Sequence, residues 1–351
     1  MKKILHNIII YTLLSTSLFV FSSCSFKKNN KNETSESAES TIKCYEFEPA
    51  TEIVEGRDDI YVVLKVITGQ YWEDIINGIT DAGNDKGYNI YIGGCASEDD
   101  WKVQEKLLGE ARDKKADAII LAPANSSKLE EAANQIHDNN IPLVLVDTIL
   151  TSGYYDICYM TDNFQAGQMA AEEMLSMLKT KGYKDSDTVQ VAIQVTSIVS
   201  QTVVDRMAGF NKYWFSNAPE NWSIIDEVKF NMGNIDVAVQ NGKDFLKSYP
   251  DLKGFVACNN SSSVGFATSL KEENRMDIIL SAFDYSDIVA EMIADKECTA
   301  ATVVQKQYNM GYNGVASAHD LINGDKNDCK FIDTGVMVVN EGNYKEYESG
   351  K

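Results

Sequence analysis

Histidine is scarce in this chain, and so is positive charge. Only three of the 351 residues are histidine, His6, His137 and His319, and they lie far apart in sequence. A metal centre built on several imidazoles, or histidine-based proton transfer, therefore has little to draw on. Lys and Arg number 32 against 52 Asp and Glu, for a formal net charge of −20. A surface that acidic repels phosphate backbones, so nucleic acid is excluded as a partner. The spaced motifs of several chemistries are missing too. There is no G-x-G-x-x-G or G-x-x-x-x-G-K-[ST] at a strand–helix turn, no H-E-x-x-H, no G-x-S-x-G and no EF-hand loop. The lone Gly93-Gly94 pair is too little for a phosphate cradle. No metal and no cofactor is expected.

What is present begins with an address. Lys2-Lys3 precede an apolar run from Ile8 to Phe21 and then Ser22-Ser23-Cys24. Two positive charges and a short apolar run read as an export signal over residues 1–23, too short for a comfortable membrane span. A cysteine directly after two small residues resembles the bacterial lipoprotein signal, in which the thiol is acylated and becomes the mature N-terminus. Phe21 departs from the leucine usual at its position. An ordinary signal peptide with a chance cysteine, or a short uncleaved anchor, is the plainer alternative. Residues 24–58 hold the lipidated Cys24 and then few apolar side chains, so they read as a disordered tether. Cleavage removes two lysines and no acid, leaving side chains that sum to about −22, a charge that keeps the body off an anionic bilayer. Six further cysteines have no C-x-x-C spacing. Several sit in apolar runs, which favours buried thiols, with a Cys298–Cys329 bridge left open.

Apolar residues make up 44% of the chain, enough for a substantial core. From Ile60 onward, short apolar runs alternate with amphipathic stretches. Strands are predicted at 60–67, 88–93, 118–122 and 142–147, with helices at 72–86, 102–115 and 127–139 between them. Trp72, Ile75, Ile76 and Ile79 give the first helix its apolar stripe, and Gly87 stops it. A second series follows Asp162: strands at 189–195, 224–230, 254–258, 278–283, 299–304 and 335–339, separated by helices at 165–181, 202–215, 237–248, 262–273, 286–294 and 308–323. This is the βαβ pattern of parallel sheets covered on both faces. Two such series without a long linker imply an α/β fold of two doubly wound lobes, with a ligand cleft where strand carboxyl ends face each other.

Several segments carry a family resemblance. Tyr71-Trp72, Val144-Leu145-Val146-Asp147 and Arg206-Met207-Ala208-Gly209-Phe210 stand, in order and spacing, where periplasmic sugar-binding proteins of the ribose/galactose type have motifs. So do Ala257-Cys258-Asn259-Asn260, Ala282-Phe283-Asp284 and Thr302-Val303-Val304-Gln305. The chain resembles that family over about residues 60–340. The resemblance implies the type I periplasmic binding protein fold, two Rossmann-like lobes joined by a three-crossing hinge. By similarity the crossings fall near Asp162, Gln305 and Thr334. Residues 59–161 plus 306–333 then form the N-terminal lobe and 162–305 plus 334–345 the C-terminal lobe. It also implies a monomeric lipoprotein, held to the membrane through Cys24, that hands a monosaccharide to an ABC permease, or else reports to a sensor kinase. The effector-binding core of the lac repressor type shares the fold. Those proteins start with a basic helix-turn-helix, and this chain starts with an export signal and an acidic tether.

A pyranose offers apolar C–H faces and a ring of hydroxyls, which suit aromatic rings and carboxylates or amides respectively. The resemblance makes Tyr71 and Trp72 the aromatic pair, and Asp147, Asn259, Asp284 and Gln305 the polar contacts. Each also has a plainer reading: core packing for the aromatics, a cap or turn for the aspartates and Asn259, a hinge role for Gln305. Arg206 resembles the family's structural arginine and stays outside the ligand set. Four positions depart from the family pattern. Thr148 and Val204 stand where arginines are common, Ala122 where asparagine is, and Gly69 where a polar side chain often is. Asp147 and Asp284 would then face the cleft without two cations, which is costly. A positively charged ligand such as an amino sugar or nitrogen base, a Lys or Arg arriving from elsewhere, or water are the compensations open to it. An exported enzyme using Asp147 and Asp284 as acid and base on a glycoside is the remaining alternative, without other catalytic signatures to support it.

Overall fold

The computed structural model describes residues 45–98, 100–294, 298–325 and 329–349. The export signal, Cys24, Cys44 and the first part of the expected tether lie outside them.

Among the described residues seven strands make the first sheet: β1 (Glu48–Pro49), β2 (Asp59–Leu64), β3 (Asn89–Gly94), β4 (Ala118–Leu121), β5 (Leu143–Val146), β6 (Ile157–Met160) and β12 (Phe331–Asp333). Their order is β1-β3-β2-β4-β5-β6-β12, parallel except for β1. Six make the second: β7 (Val189–Val195), β8 (Trp222–Phe230), β9 (Gly254–Ala257), β10 (Ile279–Phe283), β11 (Ala300–Gln305) and β13 (Val336–Val339). These run β13-β11-β10-β9-β7-β8, with only β13 antiparallel. Among the described residues ten helices accompany them: α1 (Gln70–Lys86), α2 (Trp101–Asp113), α3 (Glu130–Asp138), α4 (Asn163–Thr180), α5 (Gln201–Asn217), α6 (Ile235–Ser248), α7 (Asn260–Glu272), α8 (Asp287–Ala294), α9 (Gln307–Ile322) and α10 (Tyr344–Ser349).

The cores follow from strand alternation. In β2, Ile60, Val62 and Leu64 point to one face, where Ile75 and Ile79 of α1 and Met310 and Val315 of α9 cover them. Tyr61 and Val63 point to the other, under Leu107 and Leu108 of α2 and Ile136 of α3. The second sheet repeats the plan. Val189, Val191, Ile193 and Val195 meet α4 and α5, and Phe255, Ala257 and Leu280 meet α6, α7 and α8. Near-continuous apolar strands are what a sheet buried on both faces requires.

The chain passes between the sheets three times, from β6 into α4, from β11 into α9 and from β12 into β13. The passages are tied to one another. The backbone N–H groups of Asp162 and Gly335 both donate to Asp333 Oδ1, at 2.9 and 2.8 Å, and Thr161 Oγ1 donates to Gln305 Oε1 at 3.0 Å.

Two differences from the sequence reading stand out. Part of the stretch read as tether belongs to the body: Tyr45 N donates to Gly94 O, β1 pairs with β3, and Thr51 bonds Tyr88 and Ile90. Polar composition hid this, because the segment is held chiefly by backbone pairing at a sheet edge, with Phe47 against Tyr61 and Ala50 on the core as its few apolar contacts. Strands β6 and β12 fall outside the sequence reading; β12 has only three residues, too few for periodicity to register. The Cys298–Cys329 bridge does not form. Cys95, Cys158, Cys258, Cys298 and Cys329 are all outside disulfides. Among the described residues no helix is long and apolar enough to cross a membrane.

Candidate functional site

Loops after β2, β3 and β5 face loops after β7, β8, β9 and β10, all at strand carboxyl ends. Between them lies a cavity of about 320 Å³, at the small end of the range for small-molecule sites, roughly 300–1,000 Å³. All six predicted residues, Tyr71, Trp72, Asp147, Asn259, Asp284 and Gln305, line it.

Asp147 and Asp284 hold matching places, each the first residue after a buried parallel strand. Both take left-handed backbone, φ 65° and 66°. Such a conformation in a residue other than glycine costs on the order of 1–3 kcal/mol and persists where the surroundings over-determine it. It turns each carboxylate off its strand and into the cavity. Asp147 is fully engaged. Lys65 Nζ lies 2.7 Å from Oδ2, the Thr148 hydroxyl donates to Oδ2 at 2.8 Å, and the Tyr71 hydroxyl donates to Oδ1 at 2.6 Å. Burial pushes the Asp147 carboxyl up, but the Lys65 charge and these three hydrogen bonds outweigh it and hold the group below its ordinary range. Asp284 accepts from Gln305 Nε2 at 2.8 Å and has no cation in ion-pair contact among the described residues. There burial prevails over the attraction of Arg206 and the Gln305 bond, and the carboxyl is raised.

The other predicted residues are positioned with equal care. Tyr71 and Trp72 are both buried on α1 and meet edge to face, ring centroids 5.2 Å apart. Burial, then the charge of Asp147, keep the Tyr71 phenol far above its usual range, so it remains a donor. Gly69 precedes them at φ 93°, a conformation that disfavours any side chain and explains the glycine where a polar residue was looked for. Asn259 directly precedes α7 and commits its amide to the neighbouring serines: Nδ2 donates to Ser261 Oγ at 2.7 Å and Oδ1 accepts from Ser262 Oγ at 2.5 Å. Gln305 links a crossing strand to the cavity, with Thr161 on one end of its amide and Asp284 on the other.

Three cavity residues escaped the sequence reading. Lys65, buried at the end of β2, is the cation that Asp147 was expected to lack. It lies at the end of the apolar run of β2, and nothing in its spacing marked it. Arg206 was set aside as structural. Its Nε and Nη1 are indeed tied to Asn163 and the Cys258 carbonyl, at 2.8 and 2.9 Å, but the residue lines the cavity and its Nη2 is buried without a partner. Glu98, in the loop after β3, also lines the cavity. The two halves touch beside the site, where Thr148 Oγ1 lies 2.6 Å from Thr202 Oγ1 and Gln201 N donates to Ser126 Oγ at 3.2 Å. Among the described residues no group of His, Cys, Asp or Glu is placed to hold a metal ion.

Comparison with known proteins agrees with this fold. A family model described as periplasmic binding protein domain matches residues 60–326. The D-apiose import binding protein of Actinobacillus succinogenes is 24% identical over 253 residues, 70% of this chain and 76% of that one. The ribose import binding protein of Escherichia coli is 20% identical over 288 residues, 81% and 91% of the two chains. Among solved structures, an ABC transporter solute binding protein from Agrobacterium vitis with bound D-fucose is similar with a TM-score of 0.76 and 28% identity, over 83% of this chain and 98% of that one.

Proposed function

This chain belongs to the periplasmic binding protein domain family, and from that premise we propose that it captures a monosaccharide or sugar-like molecule outside the cytoplasm and delivers it to an ABC importer. The observation that carries the reading is convergence. Side chains from the carboxyl ends of two separate sheets meet around one monosaccharide-sized cavity, with Trp72 as an apolar wall and Asp284, Asn259, Gln305 and Arg206 as hydrogen-bonding groups. Contacts from both halves favour a closed arrangement when a guest is bound, and the three crossing strands supply the hinge. The permease then recognises the paired faces of the closed form. This reading assigns no catalytic step: both oxygens of Asp147 are engaged within the protein, Oδ1 by Tyr71 and Oδ2 by Lys65 and Thr148.

We extend the proposal to a monomer anchored by lipid on Cys24. Loss of labelled fatty acid and release into the medium in Cys24→Ser is the expected result, and unchanged membrane retention contradicts it. The binding reading is tested by thermal shift followed by titration calorimetry with D-apiose, D-ribose, D-fucose and D-arabinose. At least one sugar of this panel, extended to the hexoses and amino sugars, is expected to bind at micromolar affinity or better, about −8 kcal/mol. A panel in which no sugar raises the melting temperature overturns it.

A further inference from the structure

The cavity holds three carboxylates, Glu98, Asp147 and Asp284, against two cations, Lys65 and Arg206. Lys65 is spent: its ammonium donates to Asp147, to Thr148 at 2.5 Å and, at 3.5 Å, to Ser200. Arg206 lies 4.5 Å over the Phe283 ring, with two nitrogens committed to Asn163 and Cys258 and no carboxylate in ion-pair contact among the described residues. Asp147 is therefore neutralised in place, while Asp284 and Glu98 are not. Glu98 reaches across the opening from the first half. Its Cγ lies 3.3 Å from where a Cβ on Gly233 of the second half would sit, and Gly233, at φ 76°, has none. The half-buried Glu98 carboxylate makes no hydrogen bond or ion pair with the described residues. Burial raises it above its ordinary range, against the pull of Lys65, and the charges facing it are Lys65, Asp147, Arg206 and Asp284. A desolvated carboxylate is stabilised by a counter-charge or by taking up a proton, and of these only a cationic guest supplies the charge from outside; hydroxyls alone supply donors without charge. The unpartnered Nη2 of the nine-tenths-buried Arg206 points to an acceptor on the guest as well.

Resting on the sugar-binding reading above, we propose that Glu98, with Asp284, selects a sugar-like ligand that carries a protonated amine, with a ligand oxygen accepting from Arg206. Glu98 is thus a specificity-determining contact supplied by the loop after β3, and the ligand class is the amino sugars. An anionic sugar is disfavoured by the same excess of carboxylate.

The test is titration calorimetry on the full chain at pH 7 with two matched series, D-glucose, D-glucosamine and D-glucuronate, and D-galactose, D-galactosamine and D-galacturonate, together with D-apiose and D-ribose. In at least one series the amine is expected to bind at least tenfold more tightly than its neutral parent. Glu98→Gln is expected to cut that ratio at least fivefold, and Glu98→Asp, which keeps the charge, to retain part of it. If neutral sugars bind and no amine is preferred, or if the preference survives Glu98→Gln unchanged, the Glu98 proposal falls and the sugar-binding reading stands. Tightest binding of a uronate also overturns it. If no sugar gives heat, both fall.

Discussion

The two halves of the molecule solve one structural problem twice and one electrostatic problem in two ways. Each is a parallel sheet covered on both faces, with a helix pair packed through facing glycines. A Cβ at Gly78 or Gly311 would run into the backbone of α9 or α1, and one at Gly167 or Gly209 into that of α5 or α4. Each half ends a buried strand on an aspartate in left-handed backbone. The first half then satisfies its aspartate internally, with Lys65, Tyr71 and Thr148. The second leaves Asp284 with an amide and no cation in contact. The lesson is that equivalent positions in a duplicated scaffold need not share a task. Asp147 is built into the wall by three partners, and Asp284 keeps a carboxylate without a cation in contact among the described residues.

The largest expected effect follows directly. Asp147→Asn or Lys65→Met breaks a buried pair and strands one charge, at about 3–5 kcal/mol in chemical denaturation. Asp284→Asn removes a carboxylate that burial already disfavours, and asparagine tolerates the left-handed backbone, so stability is expected to be unchanged or higher. Equal destabilisation in both halves would erase the distinction. Binding sharpens it. Asp284→Asn should weaken the sugar by about 1–3 kcal/mol in calorimetry while the melting temperature holds, separating affinity from stability. Scaffold glycines probe the shared part: Gly78→Ala and Gly167→Ala should each cost about 1–3 kcal/mol, because the new methyl meets backbone and not a yielding side chain. Similar losses would support equivalent scaffolds, and a loss in one half alone would not.

The smallest effect is in pH. Asp147 titrates below its ordinary range when folded, so its contribution is complete at neutral pH and is lost as pH falls through that lowered value. Asp284 and Glu98 titrate above theirs, so stability falls as pH rises from the ordinary carboxylate value, about 4, through their raised values. Urea midpoints across pH should therefore show a weaker decline on raising the pH above about 4 in Asp284→Asn and a weaker decline on acidification in Asp147→Asn. The reverse assignment would contradict the electrostatic contrast.

Much of this was legible in the sequence, for identifiable reasons. Apolar runs such as 60–64 and 254–257 announce buried strands, and an aspartate or asparagine directly after such a run lands at a carboxyl-end edge by geometry alone. That geometry, together with the family resemblance, brought Asp147, Asn259 and Asp284 to one expected site. What spacing does not encode is which side chain meets which. Lys65 sits 82 residues before Asp147, and their pairing comes from the adjacency of β2, β4 and β5. Arg206 carried a structural signal and does have a structural role, which concealed its open nitrogen. Glu98 sat in a run of acids, Glu98-Asp99-Asp100, that looks like solvated loop until Gly233 is seen opposite it.

The most direct trial is a crystal structure of the full chain with whichever panel sugar most raises its melting temperature. The sugar ring should lie between the two halves, with Trp72 against one face, hydroxyl or amine hydrogens on Asp284, and Lys65 still on Asp147. A sugar seated elsewhere on the surface, or one that displaces Lys65 from Asp147 while leaving Asp284 untouched, would contradict the account.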